Sequence, residues 1–375
     1  MANANSPHLT TQLIAVLGAG GVGKTTSAAA VSLALADRGL RSVVITVDPA
    51  RRLAGALGLD SLNSEPQRVY TAPGGGTTDA LWLSHNQGLS ELVNRRVSAD
   101  SRFAEVKNHR LFKIIESQLG GIEEYLGIER ILSLAQSGNY DVCVLDTPPS
   151  RHALDFFESP RHILRFFDDG VLKHFIREEN PDAKSPGFFT RIIQKRGADA
   201  FKIFRSFLGS SFVEELSTLL AQLKPVRDLL RETATSIESW LASERSHLVL
   251  CSTVEHYALR ETSILAGAIA DKKLRPANLL VLNRCIAPEL TTDQLDEYLR
   301  THGDSRVAQI LREKVKVQQL RLQESTPAFG TWAKSTALVP RLFFDEGSLD
   351  SLRSLGRTIL DQWPNNPAKK VSTIS

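Results

Sequence analysis

The chain has 375 residues, 42% of them hydrophobic and 23% charged, with a formal net charge of +3. This is globular composition with length for two or three domains, and the charge is too small for its size to mark a nucleic-acid binder or a basic membrane anchor. Cys143, Cys251 and Cys285 lie far apart with no C-x-x-C pair, which points to neither a disulfide framework nor a zinc clasp.

The N-terminal "MANANSPHLTTQ" has no positive region ahead of "LIAVL", and no apolar run reaches membrane-spanning length. A cytoplasmic protein with no integral membrane segment and no nucleic-acid partner is expected. Continuous apolar, β-branched runs predict strands buried on both faces at 12–18, 41–48, 141–146, 246–253 and 278–283, with weaker strands at 80–85 and 336–340. Thr25–Arg38 predicts a helix closed by Gly39, and "APGGG" (72–76) a loop. The segment around 88–135 is expected to be mostly helical. Residues 155–242 carry no strand signal but much of the chain's phenylalanine, from Phe156 to Phe212, which predicts an inserted helical subdomain with a mobile loop near 178–187. Residues 10–154 and 243–363 are then two parts of one sheet domain, and 364–375 a disordered tail. Strands alternating with helices imply an α/β fold: a doubly wound, mostly parallel sheet flanked by helices.

The first strand runs into "LGAGGVGKTT" (17–26), which satisfies two motifs at once. Gly18, Gly20 and Gly23 match the dinucleotide fingerprint G-x-G-x-x-G, while Gly18, Gly23, Lys24 and Thr25 match the phosphate-binding loop G-x-x-x-x-G-K-[ST]. Asp48, at the end of the second strand, would suit a ribose grip. Lys24 and Thr25 decide for the phosphate loop, because they supply a β/γ-phosphate cation and a hydroxyl for Mg²⁺ directly after the last glycine. Asp146 closes "VLDTPP", where an aspartate can hold Mg²⁺, and Asp48 in "TVDPARRL" fits a switch segment better than a ribose contact.

With "VDPARRLAGALGL" (47–59) and "YDVCVLDTPPSRHALDFFESP" (140–160), the loop resembles the ArsA-like P-loop ATPases. These include the arsenite-pump ATPase and the ATPase that guides tail-anchored membrane proteins, with MinD and ParA as more distant relatives. "STVEHYALRET" (252–262), "LLVLNR" (279–284) and "LVPRLFFDEGSLDSLRSLG" (338–356) extend the resemblance. It implies a P-loop NTPase sheet that uses ATP and Mg²⁺. Gly18, Ala19, Gly20, Gly21, Val22 and Gly23 would wrap the phosphates, Lys24 would neutralise them, and Thr26 would bond the α-phosphate side. Thr25, Asp48 and Asp146 would serve the metal. Asp48 would also orient the attacking water, making Lys24, Asp48 and Asp146 the catalytic set. Asn283 matches the family's adenine-reading asparagine, and Pro340 would line the same pocket.

Ala19 departs from the family, whose signature lysine at this position reaches across a dimer to the partner's phosphates. Arg51, Arg52 and Arg151 are the candidate charge stabilisers in its place, since guanidinium pairs with phosphate through a rigid fork. The expected function is Mg²⁺-dependent ATP hydrolysis that opens and closes a homodimer, or a heterodimer with a related ATPase, around a client protein at the helical subdomain. Three cysteines at separate predicted strands argue against a three-thiolate arsenite site, and Met1 as the single methionine argues against a methionine-rich groove. One alternative is a non-hydrolysing nucleotide-dependent scaffold, suggested by Ala19 and opposed by Asp48 and Asp146. Another is an NAD-dependent oxidoreductase, for which no substrate-site constellation is evident.

Overall fold

The computed structural model describes residues 10–47, 50–83, 122–168, 224–272, 274–286, 292–302, 306–341 and 348–368. Apolar runs with little alternation become strands β1 (Gln12–Gly18), β2 (Arg41–Thr46), β5 (Val142–Asp146), β6 (Ser246–Thr253), β7 (Leu279–Cys285) and β8 (Thr336–Pro340). With β3 (Gln67–Thr71) and β4 (Thr77–Trp82) they form one eight-stranded sheet in the order β3-β4-β2-β5-β1-β6-β7-β8. Every neighbouring pair is parallel except β3 with β4. The fold is therefore the doubly wound α/β class. The helices are α1 (Lys24–Asp37), α2 (Ala50–Ala56), α3 (Ile122–Gln136), α4 (Ser150–Asp168), α5 (Lys224–Ala242), α6 (His256–Asp271), α7 (Thr292–His302), α8 (Arg306–Trp332) and α9 (Leu349–Asp361).

The described residues fall into two compact units, one drawn from Met1–Ser84, Ile131–Leu154 and Trp240–Ser375, the other from His85–Arg130 and Asp155–Ser239. The first unit contains the sheet. One face of it, through Ile14, Val16, Val44, Val144, Val249 and Val281, shares a core with α1, α2 and α9. Helix α1 reads "SAAAVSLALA" along its middle, and small side chains let it sink between sheet and α9 until those residues are all buried. The approach to α9 is close enough that a Cβ at Gly356 would lie 1.9 Å from the Ala30 carbonyl oxygen. The opposite face is covered by α6 and α8, with Thr262 of α6 donating to the Ser252 hydroxyl at 2.9 Å.

Several expectations change. Strand β3 is an additional antiparallel edge strand in a stretch that had no assignment. The "APGGG" loop is the connection from β3 to β4 and packs Gly76 on the Ala36 carbonyl, and the 80–85 strand starts earlier, at Thr77. Residues 364–368 are ordered rather than part of a tail: Asn366 is fully buried, donates to the Leu360 and Trp363 carbonyls, and is followed by Pro367, whose carbonyl accepts from Gln12.

The described parts of 88–135 and 155–242 are helical, and within the second unit the Tyr125 hydroxyl donates to the Leu230 carbonyl at 2.9 Å. Arg161 pairs with Glu238 at 3.1 Å, and Phe156 meets Phe157 edge-to-face. The loop at 178–187 and most of the phenylalanines lie outside the described residues. Among the described residues no helix is long and apolar enough to cross a membrane.

Candidate functional site

The loop between β1 and α1 leaves the C-terminal edge of the sheet at its centre, where parallel α/β sheets bind ligands. At its start, a Cβ on Gly18 would lie 2.2 Å from the Cys251 carbonyl oxygen, so only a glycine lets the chain pass β6 here. At its end, Gly23 caps α1 in the left-handed region with φ 96° and no side-chain hydrogen bond. The first turn of α1 carries no acidic residue, so its amides and the positive end of the helix suit an anion. Lys24 is only 7% exposed and donates from Nζ to the Ala19 carbonyl at 2.9 Å, folding its charge back over the loop.

Parallel register then adds the acid. Asp146 lies opposite Val16 of β1 on one side and Thr46 of β2 on the other. Its Oδ2 accepts the Thr25 hydroxyl at 2.7 Å and the Thr46 hydroxyl at 3.1 Å, and the residue is 1% exposed. Thr147 fixes the chain beyond it by donating to the Val16 carbonyl at 2.8 Å. Carboxylate and hydroxyl oxygens beside a lysine and an uncapped helix start form a hard-oxygen donor set of the kind Mg²⁺ accepts with phosphates. The residues present therefore fit both groups.

Asn283 closes the other side. The β7–β8 ladder shifts between Leu282 and Cys285, and Asn283 within that irregularity turns its Nδ2 to the Val22 carbonyl at 3.0 Å. Its Oδ1 accepts the Arg284 amide at 2.8 Å. The fit is tight enough that a Cβ on Gly23 would lie 2.2 Å from Asn283 Nδ2. Cys251 supports the same turn, its Sγ 3.5 Å from the Val22 carbonyl, and burial pushes its thiol up to about 11. Cys143 and Cys285 are buried too, with thiols raised by burial to about 12 and about 11.

The structure thus brings residues 18–26, Asp146 and Asn283 together. Within the loop Ala19 and Val22 are buried, Gly20 and Gly21 exposed, and Thr25 and Thr26 half-buried. Pro340 ends β8 opposite Cys285. Arg51 and Arg52 are exposed on α2. Asp48 and the side chain of Arg151 lie outside the described residues. Thr46, Cys251 and Arg284 are additions to the expected set. The signal for Thr46 was available: it is a hydroxyl residue at the end of the strand beside the one that Asp146 closes.

The sequence profile of the anion-transporting ATPase family matches residues 11–324. The chain is similar to ATPase GET3 of Mycosarcoma maydis, 23% identical over 272 residues, which are 72% of each protein. It is similar to ATPase ARSA2 of Chlamydomonas reinhardtii, 23% identical over 321 residues, covering 81% of this chain and 80% of that one. A putative arsenical pump-driving ATPase of Halobacterium salinarum is 28% identical over 171 residues, 43% of this chain and 26% of that protein's length.

Proposed function

Because the chain belongs to the anion-transporting ATPase (ArsA) family of ATP hydrolases, we propose that residues 18–26, Asp146 and Asn283 form its ATP site and that Asp48 and Asp146 serve turnover. The observation that carries this reading is the 2.7 Å Thr25–Asp146 contact beside Lys24 at the start of an uncapped helix. The loop amides and Lys24 hold the phosphates, and Thr25 and Asp146 hold Mg²⁺. The ion, when bound, supplies charge neutralisation on the phosphates. Lys24 already folds its ammonium back on the Ala19 carbonyl, within the loop that would receive the phosphates. Asp48 orients water.

Asn283 reads the base. Its amide has spent one N–H on Val22 and one lone pair on the Arg284 amide, which leaves one donor and one acceptor. That pair matches the N7 acceptor and N6 donor of adenine. Pro340 borders the same pocket.

Hydrolysis drives the opening and closing of a dimer of this chain, or of this chain with a related ATPase, around a client at the second compact unit. The protein works in the cytoplasm. Three buried thiols with raised pKa values, on three different strands, do not favour a thiolate site for a soft anion.

The reading is tested by calorimetry with ATP and Mg²⁺. Parental protein binds ATP, Lys24→Ala weakens binding at least tenfold, and Asp48→Asn binds normally but does not turn over. Tight NADH binding without ATP binding would replace this reading with the dinucleotide one.

A further inference from the structure

Arg284 is the one non-glycine residue among those described whose φ is positive, at 58°. A left-handed arginine in a strand is a conformation that costs energy and must be held by its surroundings. Two bonds hold it: the Arg284 amide on Asn283 Oδ1 at 2.8 Å, and the Arg341 amide on the Cys285 carbonyl at 2.7 Å. The result is a β7 irregularity that turns two adjacent side chains differently. Asn283 is buried against the phosphate loop, Cys285 is fully buried, and Arg284 between them is exposed.

The guanidinium is also uncommitted, since no carboxylate among the described residues forms an ion pair with it. The Arg284 backbone follows directly on Asn283, whose amide reaches the phosphate loop at Val22, so the residue stands beside that loop at the C-terminal end of β7. Thr253, the register partner of Asn283 on β6, is 5% exposed, and its hydroxyl has no hydrogen-bond partner. The corner where β6 and β7 end therefore holds polar capacity that the protein does not use.

Distance decides what Arg284 can serve. Strand β7 is three strands from β5 and Asp146, about 14 Å at the usual strand spacing. That is the base end of the site and not the γ-phosphate end. Resting on the ATP reading above, we propose that Arg284 covers the face of the purine whose edge Asn283 reads, its planar guanidinium stacked on the ring. A guanidinium suits this task because it keeps its in-plane donors hydrated while its flat face meets a π-system.

Calorimetry on the full chain tests it with parent, Arg284→Ala and Arg284→Lys, titrated with ATP and with ADP. Stacking predicts that Arg284→Ala raises Kd for both nucleotides by the same factor, about tenfold, and that lysine recovers little of it, because it brings charge without a plane. Parental affinity in Arg284→Ala would overturn the proposal. So would full recovery by Arg284→Lys, or a loss confined to ATP, which would mark a phosphate contact. If Arg284→Ala folds poorly, Arg284→Gly tolerates the left-handed backbone and carries the same expectations. A parent that binds neither nucleotide would instead sink the ATP reading itself.

Discussion

Gly23 is asked to do two things at once: to turn left-handed before α1 and to leave room for the Asn283 amide. Gly23→Ala violates both, since the new methyl would overlap Nδ2 and the backbone would be strained. The variant is expected to bind ATP at least tenfold more weakly than the parent in calorimetry. Its thermal midpoint should fall only modestly, because the strain is confined to a loop at the sheet edge. Lys24, Thr25 and Asp146 could be read from the sequence because their chemistry is encoded in fixed spacing or at a strand's end. The bonds from Thr46 to Asp146 and from Cys251 to Val22 could not, since they depend on which strands become neighbours and in what register. Asn283 was legible as a strand-end amide. Its bond to the phosphate loop was not, because that bond needs the irregularity in β7.

At the scale of elements, α1 is held at its end by a charged clamp. Asp37 accepts two 3.0 Å bonds from Arg353 Nε and one of 2.8 Å from the Tyr70 hydroxyl, with Arg357 3.5 Å away. The same Arg353 lies over the Tyr70 ring at 4.8 Å, so α1, β3 and α9 meet there. Burial alone would raise the Asp37 pKa, but the bonds from Arg353 and Tyr70 and the two arginine charges outweigh it and hold it below its ordinary 3.8. A depressed carboxylate stabilises the fold fully above its unfolded pKa, and that stabilisation is lost as pH falls through the folded value. Urea midpoints of the parent should therefore fall more steeply below pH 4 than those of Asp37→Asn, which lacks this titration. The packing of α9 on α1 gives a second prediction at this scale. Gly356→Ala places a methyl against the Ala30 carbonyl and should cost about 1–3 kcal/mol, seen as a lowered thermal midpoint. Strand β3 was missed because "QRVYT" has neither a continuous apolar run nor a full alternation. Its place comes from pairing with β4 and from the Arg68–Asp79 ion pair, whose Asp79 also takes the Tyr140 hydroxyl at 2.8 Å.

For the whole molecule, Ala19 stands where the resemblance leads one to expect a lysine. It is 5% exposed and part of the core around α1, so no charge is available there for a partner subunit. If the proposed dimer uses an arginine instead, replacing one of Arg51, Arg52 or Arg151 by alanine should lower turnover about a hundredfold while ATP affinity changes little. Stopped-flow phosphate release on the three variants reads this directly, and parental rates in all three would remove arginine from the mechanism. Ala19→Lys in the slow variant should restore part of the rate, provided the new side chain leaves the core for solvent. The central sheet was legible as a whole because buried parallel strands announce themselves by composition. A partner-facing surface is not legible in the same way, since an arginine in the sequence looks alike whether it faces water or another chain.

The near-complete burial of α1 has a mechanical consequence. A helix wedged between a sheet and a backbone-close neighbour, and pinned at its far end by Asp37, cannot slide or tilt without unpacking the core. Beyond that fixed helix the tips of β2 and β5 are coupled to each other by the hydroxyl of Thr46 on the carboxylate of Asp146.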